Sequence, residues 1–168
     1  MSKWKAIKWT NQTDKVITKE NVAIQCIEIL KQYFKNDDIF LEPCRWTGSF
    51  YKNLPEHRKE WCEIEQWKDF FNYTNKVDWI ITNPPYSIYE QFLDHCFEVA
   101  DNIALLIPLA KPFSSLWRIK KIQQYWWIHT IYVFPYSASK AWFPFWFPLS
   151  LTYFKKWYNG QQKIIFLN

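Results

Sequence analysis

Apolar residues recur along the chain at two spacings, which predict alternating helices and strands. Segments with an apolar residue at every third or fourth position are predicted as helices: 19–34, 89–100 and 116–125. Thr18 precedes the first segment and is predicted to cap that helix. Short continuous apolar runs are predicted as strands: 39–41, 60–64, 77–82, 103–109, 129–134 and 149–154. An aromatic loop that contains proline is expected over 136–148.

This order of elements predicts the fold class and where a ligand would bind. Strands that alternate with helices, followed by two late strands, indicate an α/β domain with a mostly parallel sheet. An antiparallel strand is expected at the C-terminal edge of that sheet. Ligands of such sheets bind beyond the carboxyl ends of the strands, so polar residues that follow a strand become candidates for function.

Composition and charge narrow the class of protein. With 49% apolar and 22% charged residues, the chain of 168 residues is typical of one globular domain rather than a disordered tail or a coiled coil. The N-terminus has no apolar core of a signal peptide, so a cytoplasmic protein without a membrane role is expected. The 4 cysteines and 3 histidines show no ligand spacing, so we expect reduced thiols and no metal. A net charge of +5 suits a polyanion such as nucleic acid, although many proteins are this basic.

The most informative motif is Asn83-Pro84-Pro85-Tyr86, directly after the apolar run 77–82. Proline has no N–H for a sheet ladder, so the strand must end here. The amide oxygen of Asn83 and the nearby backbone carbonyls form a set of acceptors suited to a planar –NH2 group. Tyr86 can stack on a flat ring. The alternative is an ordinary proline turn that only ends the strand.

This motif resembles that of the class I S-adenosylmethionine-dependent methyltransferases, in the group that methylates amino groups with Asn-Pro-Pro-Tyr. The resemblance implies a Rossmann-like three-layer fold, S-adenosylmethionine as cofactor, and N6 of adenine in DNA as the target. Asn83 and Pro84 would hold the amine, Pro85 would complete the catalytic turn, and Tyr86 would stack on the flipped base. An RNA base, a protein glutamine amide, and an inactive binding module with the same fold remain alternatives.

A second stretch resembles the cofactor loop of that family, whose pattern is acid-Pro-x-x-Gly-x-Gly after the first strand. Glu42, Pro43 and Gly48 match this pattern, and Cys44 lies between them. Trp46 stands where the family has its first glycine. An indole at this position would fill the space of the methionine carboxylate.

Three further matches complete the implied cofactor site. Glu63, with Glu65 as runner-up, resembles the acid that binds the ribose hydroxyls. Asp69-Phe70 resembles the pair that holds the adenine of the cofactor. The segment 13–18, which ends at Thr18, resembles, loosely, the motif that closes over the methionine end.

The resemblance also shapes the expected domain organisation. A target-recognition domain commonly follows in this group, but here we expect a basic arm over 1–17 and one catalytic domain over 18–168 without such a domain. DNA would then be contacted by the arm and by Arg118, Lys120 and Lys140. Because phosphate contacts give affinity rather than sequence choice, weak specificity or dependence on a partner protein is expected.

The ratio of tryptophan to glycine is abnormal. Tryptophan occurs 12 times and glycine twice, whereas glycine ordinarily makes up about 7% of residues. Trp61 and Trp79 fit apolar strands, but ten others stand where glycine would be natural: Trp4, Trp9, Trp46, Trp67, Trp117, Trp126, Trp127, Trp142, Trp146 and Trp157. The hypothesis is that UGA codons read as glycine in a recoded bacterium, or a phage of one, were translated as tryptophan. The alternative is a diverged, tryptophan-rich protein with weak or no cofactor binding.

Overall fold

Seven strands form one sheet in the computed structural model, which describes residues 16–142 and 147–168. The strands are β1 (Phe40–Glu42), β2 (Lys59–Trp61), β3 (Val77–Thr82), β4 (Ala100–Pro108), β5 (Trp126–Val133), β6 (Leu149–Lys156) and β7 (Lys163–Phe166). Their order across the sheet is β2-β1-β3-β4-β6-β5-β7. Every pairing is parallel except the two that β6 makes with β4 and β5.

Four α-helices lie within the described residues: α1 (Glu20–Leu30), α2 (Tyr89–Val99), α3 (Leu116–Tyr125) and α4 (Tyr136–Trp142). The connections from β1 to β2 and from β2 to β3 contain short 3-10 turns instead of α-helices. Across the ranges that the structure describes, each helix is too short or too polar to traverse a lipid bilayer.

Two apolar cores lie on opposite faces of the sheet. Along β3, Ile80 belongs to the core that contains α2, whereas Trp79 and Ile81 belong to the core that contains α1. Along β4, Leu105 belongs to the core that contains α2, and Leu106 belongs to the core that contains α1. Since successive side chains of a strand point to opposite faces, strands covered on both sides must be apolar throughout. The result is a three-layer arrangement of helix, sheet and helix.

The predicted fold class is confirmed: an α/β, Rossmann-like three-layer domain with a mostly parallel sheet and its antiparallel strand toward the C-terminal end. Two elements differ from the prediction. The segment predicted as a loop over 136–148 contains helix α4. β7, which the pattern did not predict, pairs with β5 and extends the sheet beyond it. All of its side chains are exposed, so its sequence does not need the alternation of apolar and polar residues that marks a half-buried strand.

The predicted cap of the first helix is wrong. The N-cap position is Lys19, whose side chain makes no capping hydrogen bond, and helix α1 begins at Glu20. Thr18 lies one residue too early to cap the helix. Its carbonyl oxygen instead accepts a hydrogen bond from Ser49 Oγ at 2.7 Å, which ties the segment before α1 to the loop after β1.

The cysteines are free thiols, and Cys26, Cys62 and Cys96 are buried. Burial raises the pKa of Cys62 to about 11, so this thiol stays protonated at neutral pH. Within the described ranges, no cluster of three histidine, cysteine or acidic side chains could hold a metal ion.

Candidate active site

The carboxyl ends of β1, β2 and β3 lie side by side because these strands are neighbours in the sheet. Glu42, the last residue of β1, pairs with Trp61 of β2, and Glu63 follows two residues later. Asn83 directly follows β3. The chain passes from β1 to β2 on one side and from β3 to β4 on the other, so this edge is the topological switch point where ligands of such sheets bind.

The β1 loop, residues 43–50, folds back against the end of β2. The backbone N–H of Arg45 donates to the carbonyl of Cys62 at 3.0 Å, and the N–H of Cys62 donates to the carbonyl of Glu42 at 2.9 Å. Gly48 is buried with φ of 78°, and its N–H donates to the carbonyl of Arg45 at 2.5 Å. A Cβ at Gly48 would meet only ordinary contacts, so the left-handed backbone, rather than lack of space, favours glycine there.

Two buried carboxyl groups hold this loop. Glu42 Oε2 accepts the N–H of Tyr51 at 2.7 Å. Glu63 Oε2 accepts the N–H of Trp46 at 2.6 Å, and its Oε1 accepts the N–H of Glu65 at 3.1 Å. The side chain of Glu65, the runner-up for the ribose acid, is exposed. The structure therefore brings Glu42 and Glu63, but not the Glu65 side chain, into the buried part of the site.

Burial raises the pKa of Glu42 to about 8. The N–H groups of Tyr51 and Phe50 and the charge of Arg45 oppose this shift, and the charge of Glu63 adds to it. At neutral pH Glu42 is therefore mostly protonated, so it adds little negative charge beside Glu63.

This raised pKa makes stability depend on pH. A carboxyl whose pKa is higher in the folded state stabilises the fold below its ordinary pKa, and that stabilisation is lost as pH rises through the folded value. Between about pH 4.5 and about 8, Glu42 should lower the free energy of unfolding by about 1.4 kcal/mol per pH unit. Glu42→Gln should remove this contribution, measured by urea unfolding at several pH values. Glu28→Gln is the charge-matched surface control, and an equal change of slope in both variants would contradict the assignment.

The segment 16–18 joins the β1 loop to the Asn-Pro-Pro-Tyr corner, residues 83–86. Asn83 Nδ2 donates to the carbonyl of Val16 at 3.1 Å, and Ser49 Oγ donates to the carbonyl of Thr18. The segment predicted to close over the methionine end thus lies where both halves of the site meet. Its earlier residues, 13–15, lie outside the described residues.

The Tyr86 side chain of the corner packs against the protein interior. Pro84 and Pro85 are buried, and Asn83 is half-buried. The Tyr86 hydroxyl lies 3.1 Å from Asn83 Oδ1 and 3.4 Å from the carbonyl of Leu106, and the half-buried ring packs against both cores. The ring therefore has a packing role in the fold, which the sequence motif did not indicate. The physical reason is that a phenol hydroxyl finds acceptors where β3 and β4 end.

Lys111 lies beside the corner and was missed by sequence reasoning. Its Nζ donates to the carbonyl of Tyr86 at 3.2 Å and lies 5.6 Å from the centre of the Tyr86 ring. Arg118 Nη1 donates to the carbonyl of Lys111 at 3.1 Å, and Arg118 Nε lies 3.2 Å from Glu90 Oε1. The signal that could have found Lys111 is its place just after β4, the strand next to β3.

The three predicted nucleic-acid contacts have different surroundings. Arg118 is mostly buried and engaged inside the protein, where it braces α3 against α2 and Lys111. Lys120 is exposed on α3. Lys140 lies in α4, but its side chain is outside the described part of the structure.

Asp69 lies close to Glu63. Residue Lys68 forms an antiparallel bridge with Glu63, so Asp69 follows directly beyond it. Asp69 Oδ1 accepts the N–H of Phe71 at 3.0 Å and closes a short turn. A cavity of about 470 Å³, lined in part by Trp61 and Asp69, opens at this place. Its size suits a small ligand or part of one.

Phe70, the predicted partner of Asp69, is buried in the core with 4% of its surface exposed. Its ring centre lies 4.9 Å from that of Phe92 and 4.7 Å from that of His95. The structure thus separates the predicted pair: Asp69 lines the cavity, whereas Phe70 packs against α2.

Comparison with known proteins identifies the fold. No protein-family model matches this sequence, and no curated protein matches it. Among solved structures, a protein from Listeria monocytogenes described as a class I S-adenosylmethionine-dependent methyltransferase aligns over 96% of this chain and 68% of its own, with a TM-score of 0.62 and 14% identity. The chain has the class I methyltransferase fold.

Two other structures share this methyltransferase fold. A protein from Pyrococcus horikoshii described as an RNA methyltransferase aligns over 92% of this chain and 94% of its own, with a TM-score of 0.62 and 12% identity. The M protein of the type I restriction enzyme EcoKI aligns over 83% of this chain and 44% of its own, with a TM-score of 0.62 and 14% identity. At these identities, the likeness concerns the fold.

Proposed function

We propose that this chain transfers a methyl group from S-adenosylmethionine to the exocyclic amino group, N6, of adenine in DNA. One observation carries the proposal: the acceptor-rich corner at Asn83 lies at the same sheet edge as Glu42 and Glu63, at the switch point of a methyltransferase fold. The hydrogen bonds of segment 16–18 connect the two halves.

The polar groups and the loop backbone of the site fit most parts of the cofactor. Glu63 presents two carboxylate oxygens, which suit the two hydroxyl groups of a ribose. Asp69 lines the adjacent cavity and would accept a hydrogen bond from the adenine amino group. Gly48, with Pro43 and Cys44 of the same loop, would bring backbone close to the methionine moiety. When bound, the cofactor supplies an electrophilic methyl group on a sulfonium.

At the corner, this chain's own oxygens would prepare the amine. Asn83 Oδ1 and the carbonyl of Pro84 would each accept one N–H of the target group, which orients the nitrogen lone pair away from the corner and increases its electron density. Asn83 Oδ1 has two lone pairs, so it can accept this bond while it remains near the Tyr86 hydroxyl. The nitrogen would bond to the methyl group as the methyl–sulfur bond breaks, with the neutral thioether as the leaving group, and the nitrogen would then lose one proton to solvent.

DNA is the substrate that we favour as the source of this amino group. The net charge of +5 and the position of Lys111 beside the corner suit a phosphate backbone. The EcoKI M protein, which shares this fold, is named as one protein of a type I restriction enzyme. A partner protein that supplies sequence recognition is therefore part of the proposal. A base must leave the duplex to reach the corner.

A methyl-transfer assay with labelled S-adenosylmethionine tests the substrate. DNA, RNA and protein pools are incubated with the chain and, in parallel, with its Trp46→Gly variant. N6-methyladenine in DNA is the expected product. Label in RNA would redirect the proposal toward the activity described for the Pyrococcus horikoshii protein. Cofactor binding without transfer to any pool would indicate an inactive binding module.

Tyr86 provides a finer prediction about the corner. If its ring stacks on the base, Tyr86→Phe should keep the rate within about threefold, whereas Tyr86→Ala should lower it by about 10-fold or more, since stacking contributes about 1–3 kcal/mol per base. Single-turnover rates measure both effects. Equal loss in both variants would show that the hydroxyl bond to Asn83, rather than the ring, matters.

A further inference from the structure

Three tryptophans adopt a backbone conformation that favours glycine. Trp46, Trp67 and Trp157 have φ of 38°, 60° and 55°. Throughout residues 16–142 and 147–168, every non-glycine residue with a positive φ is one of these three. In this region the Cβ of an L-residue approaches the following carbonyl oxygen, and asparagine and aspartate tolerate it better than large side chains do.

The local structure demands this conformation at each position. Trp46 precedes Gly48 by two residues, and φ is positive at both, which are the two glycine positions of the acid-Pro-x-x-Gly-x-Gly pattern. Trp67 is the C-cap of the 3-10 turn Ile64–Gln66, a place where glycine is preferred. Trp157 ends the turn after β6 that leads toward β7.

Burial of the side chains does not account for the conformation. The exposed fraction is 97% for Trp67, 66% for Trp157 and 39% for Trp46. By contrast, Trp79 is 1% exposed, and its indole N–H donates to Asp38 Oδ2 at 2.8 Å. Burial that could offset the strain is slight at Trp67 and Trp157, and more than a third of Trp46 remains exposed.

We infer that positions 46, 67 and 157 are glycine in the natural protein, because their codons are UGA and the host reads UGA as glycine. The inference joins the dihedral angles to the count of 12 tryptophans and 2 glycines. Trp61 and Trp79 are the tryptophans that UGG encodes. Four further candidates lie in helices or strands, whose backbone does not distinguish the two residues: Trp117, Trp126, Trp127 and Trp142. The remaining three lie outside the described residues: Trp4, Trp9 and Trp146.

Position 46 links this inference to the site, and this step rests on the proposed function. The N–H of residue 46 donates to Glu63, a bond that glycine keeps. Removing the indole opens the β1 loop where the methionine moiety would lie. The chain with glycine at position 46 is therefore the form that binds S-adenosylmethionine.

The codons and the natural protein provide the first test, which is independent of any activity. The gene should carry UGA at positions 46, 67 and 157 and UGG at 61 and 79. Mass spectrometry of the protein from its host should give glycine in the peptides that span the first three positions. UGG codons, or tryptophan in those peptides, would overturn the inference.

Variants of the full chain provide the second test. Trp67→Gly and Trp157→Gly should each raise the melting temperature by about 2–6 °C, since each relieves a left-handed L-residue. Trp61→Gly, in β2, is the matched control and should lower the melting temperature.

Trp46→Gly should bind S-adenosylmethionine at least about 10-fold tighter than the parent in calorimetry, because it removes the indole from the space of the methionine moiety. A tenfold change in affinity corresponds to about 1.4 kcal/mol. No thermal gain at 67 and 157 would overturn the glycine inference, whereas thermal gains without cofactor binding would overturn the proposed function alone.

Discussion

Asn83→Ala is expected to slow methyl transfer by at least about 100-fold, which is the usual effect of removing one hydrogen-bonding group that acts mainly in the transition state. S-adenosylmethionine affinity should change by about twofold or less, because the Asn83 oxygen would contact the amine and not the cofactor. The measurements are single-turnover rates on DNA and calorimetric affinities, both in the Trp46→Gly background.

Two further variants separate chemistry from structure at this position. Asn83→Asp keeps an acceptor oxygen and should recover part of the rate lost in Asn83→Ala. Asn75→Ala changes an exposed asparagine before β3 and should leave the rate unaltered. Asn83 Nδ2 also holds the carbonyl of Val16. If affinity falls as much as the rate, Asn83 acts only by holding segment 16–18, and its proposed role at the amine is contradicted.

Glu63→Ala is expected to weaken S-adenosylmethionine binding by at least about 100-fold, since hydrogen bonds to a charged group contribute about 1.5–3 kcal/mol each and Glu63 would accept two. Its carboxylate is buried at the sheet edge, where its oxygens already accept the N–H of Trp46 in the β1 loop and the N–H of Glu65 after β2. Calorimetry in the Trp46→Gly background measures the affinity. Circular dichroism shows whether the variant is folded.

Glu65 and the conservative variant of Glu63 complete this experiment. Glu65→Ala removes an exposed carboxylate one turn away and should change affinity by about twofold or less. Glu63→Gln retains one acceptor oxygen and should lie between the parent and Glu63→Ala. Loss of affinity in Glu65→Ala, with Glu63→Ala unaffected, would assign the ribose to the runner-up.

The sequence predicts most elements of the fold because burial on both faces makes strands apolar throughout. The predicted helix over 116–125 has the bounds of α3, and the predicted strand over 77–82 has those of β3. Helix α4 was missed because its aromatic and small residues sit near prolines, which favoured a loop. β7 was missed because an exposed edge strand imposes no pattern of burial.

Within the candidate site, the sequence predicts positions better than orientations. Glu42, Glu63 and Asn83 could be predicted because each ends or follows a strand. The inward turn of Tyr86 and the internal role of Arg118 could not, since both depend on groups distant in sequence, such as the carbonyl of Leu106. The positive φ of Trp46 agrees with the glycine that the loop pattern requires.

The hydrogen bond from Asn83 Nδ2 to the carbonyl of Val16 fixes which end of the amide faces the substrate. With the nitrogen committed to Val16, the oxygen points toward the Tyr86 hydroxyl and the incoming amine. A chain shortened past Val16 would lose this restraint. A half-turn of the amide would then direct the two N–H groups of Asn83 Nδ2 at the target amine, which is itself a hydrogen-bond donor. Under the proposed function, residues 16–18 would therefore orient the Asn83 amide for the reaction, in addition to covering the cofactor.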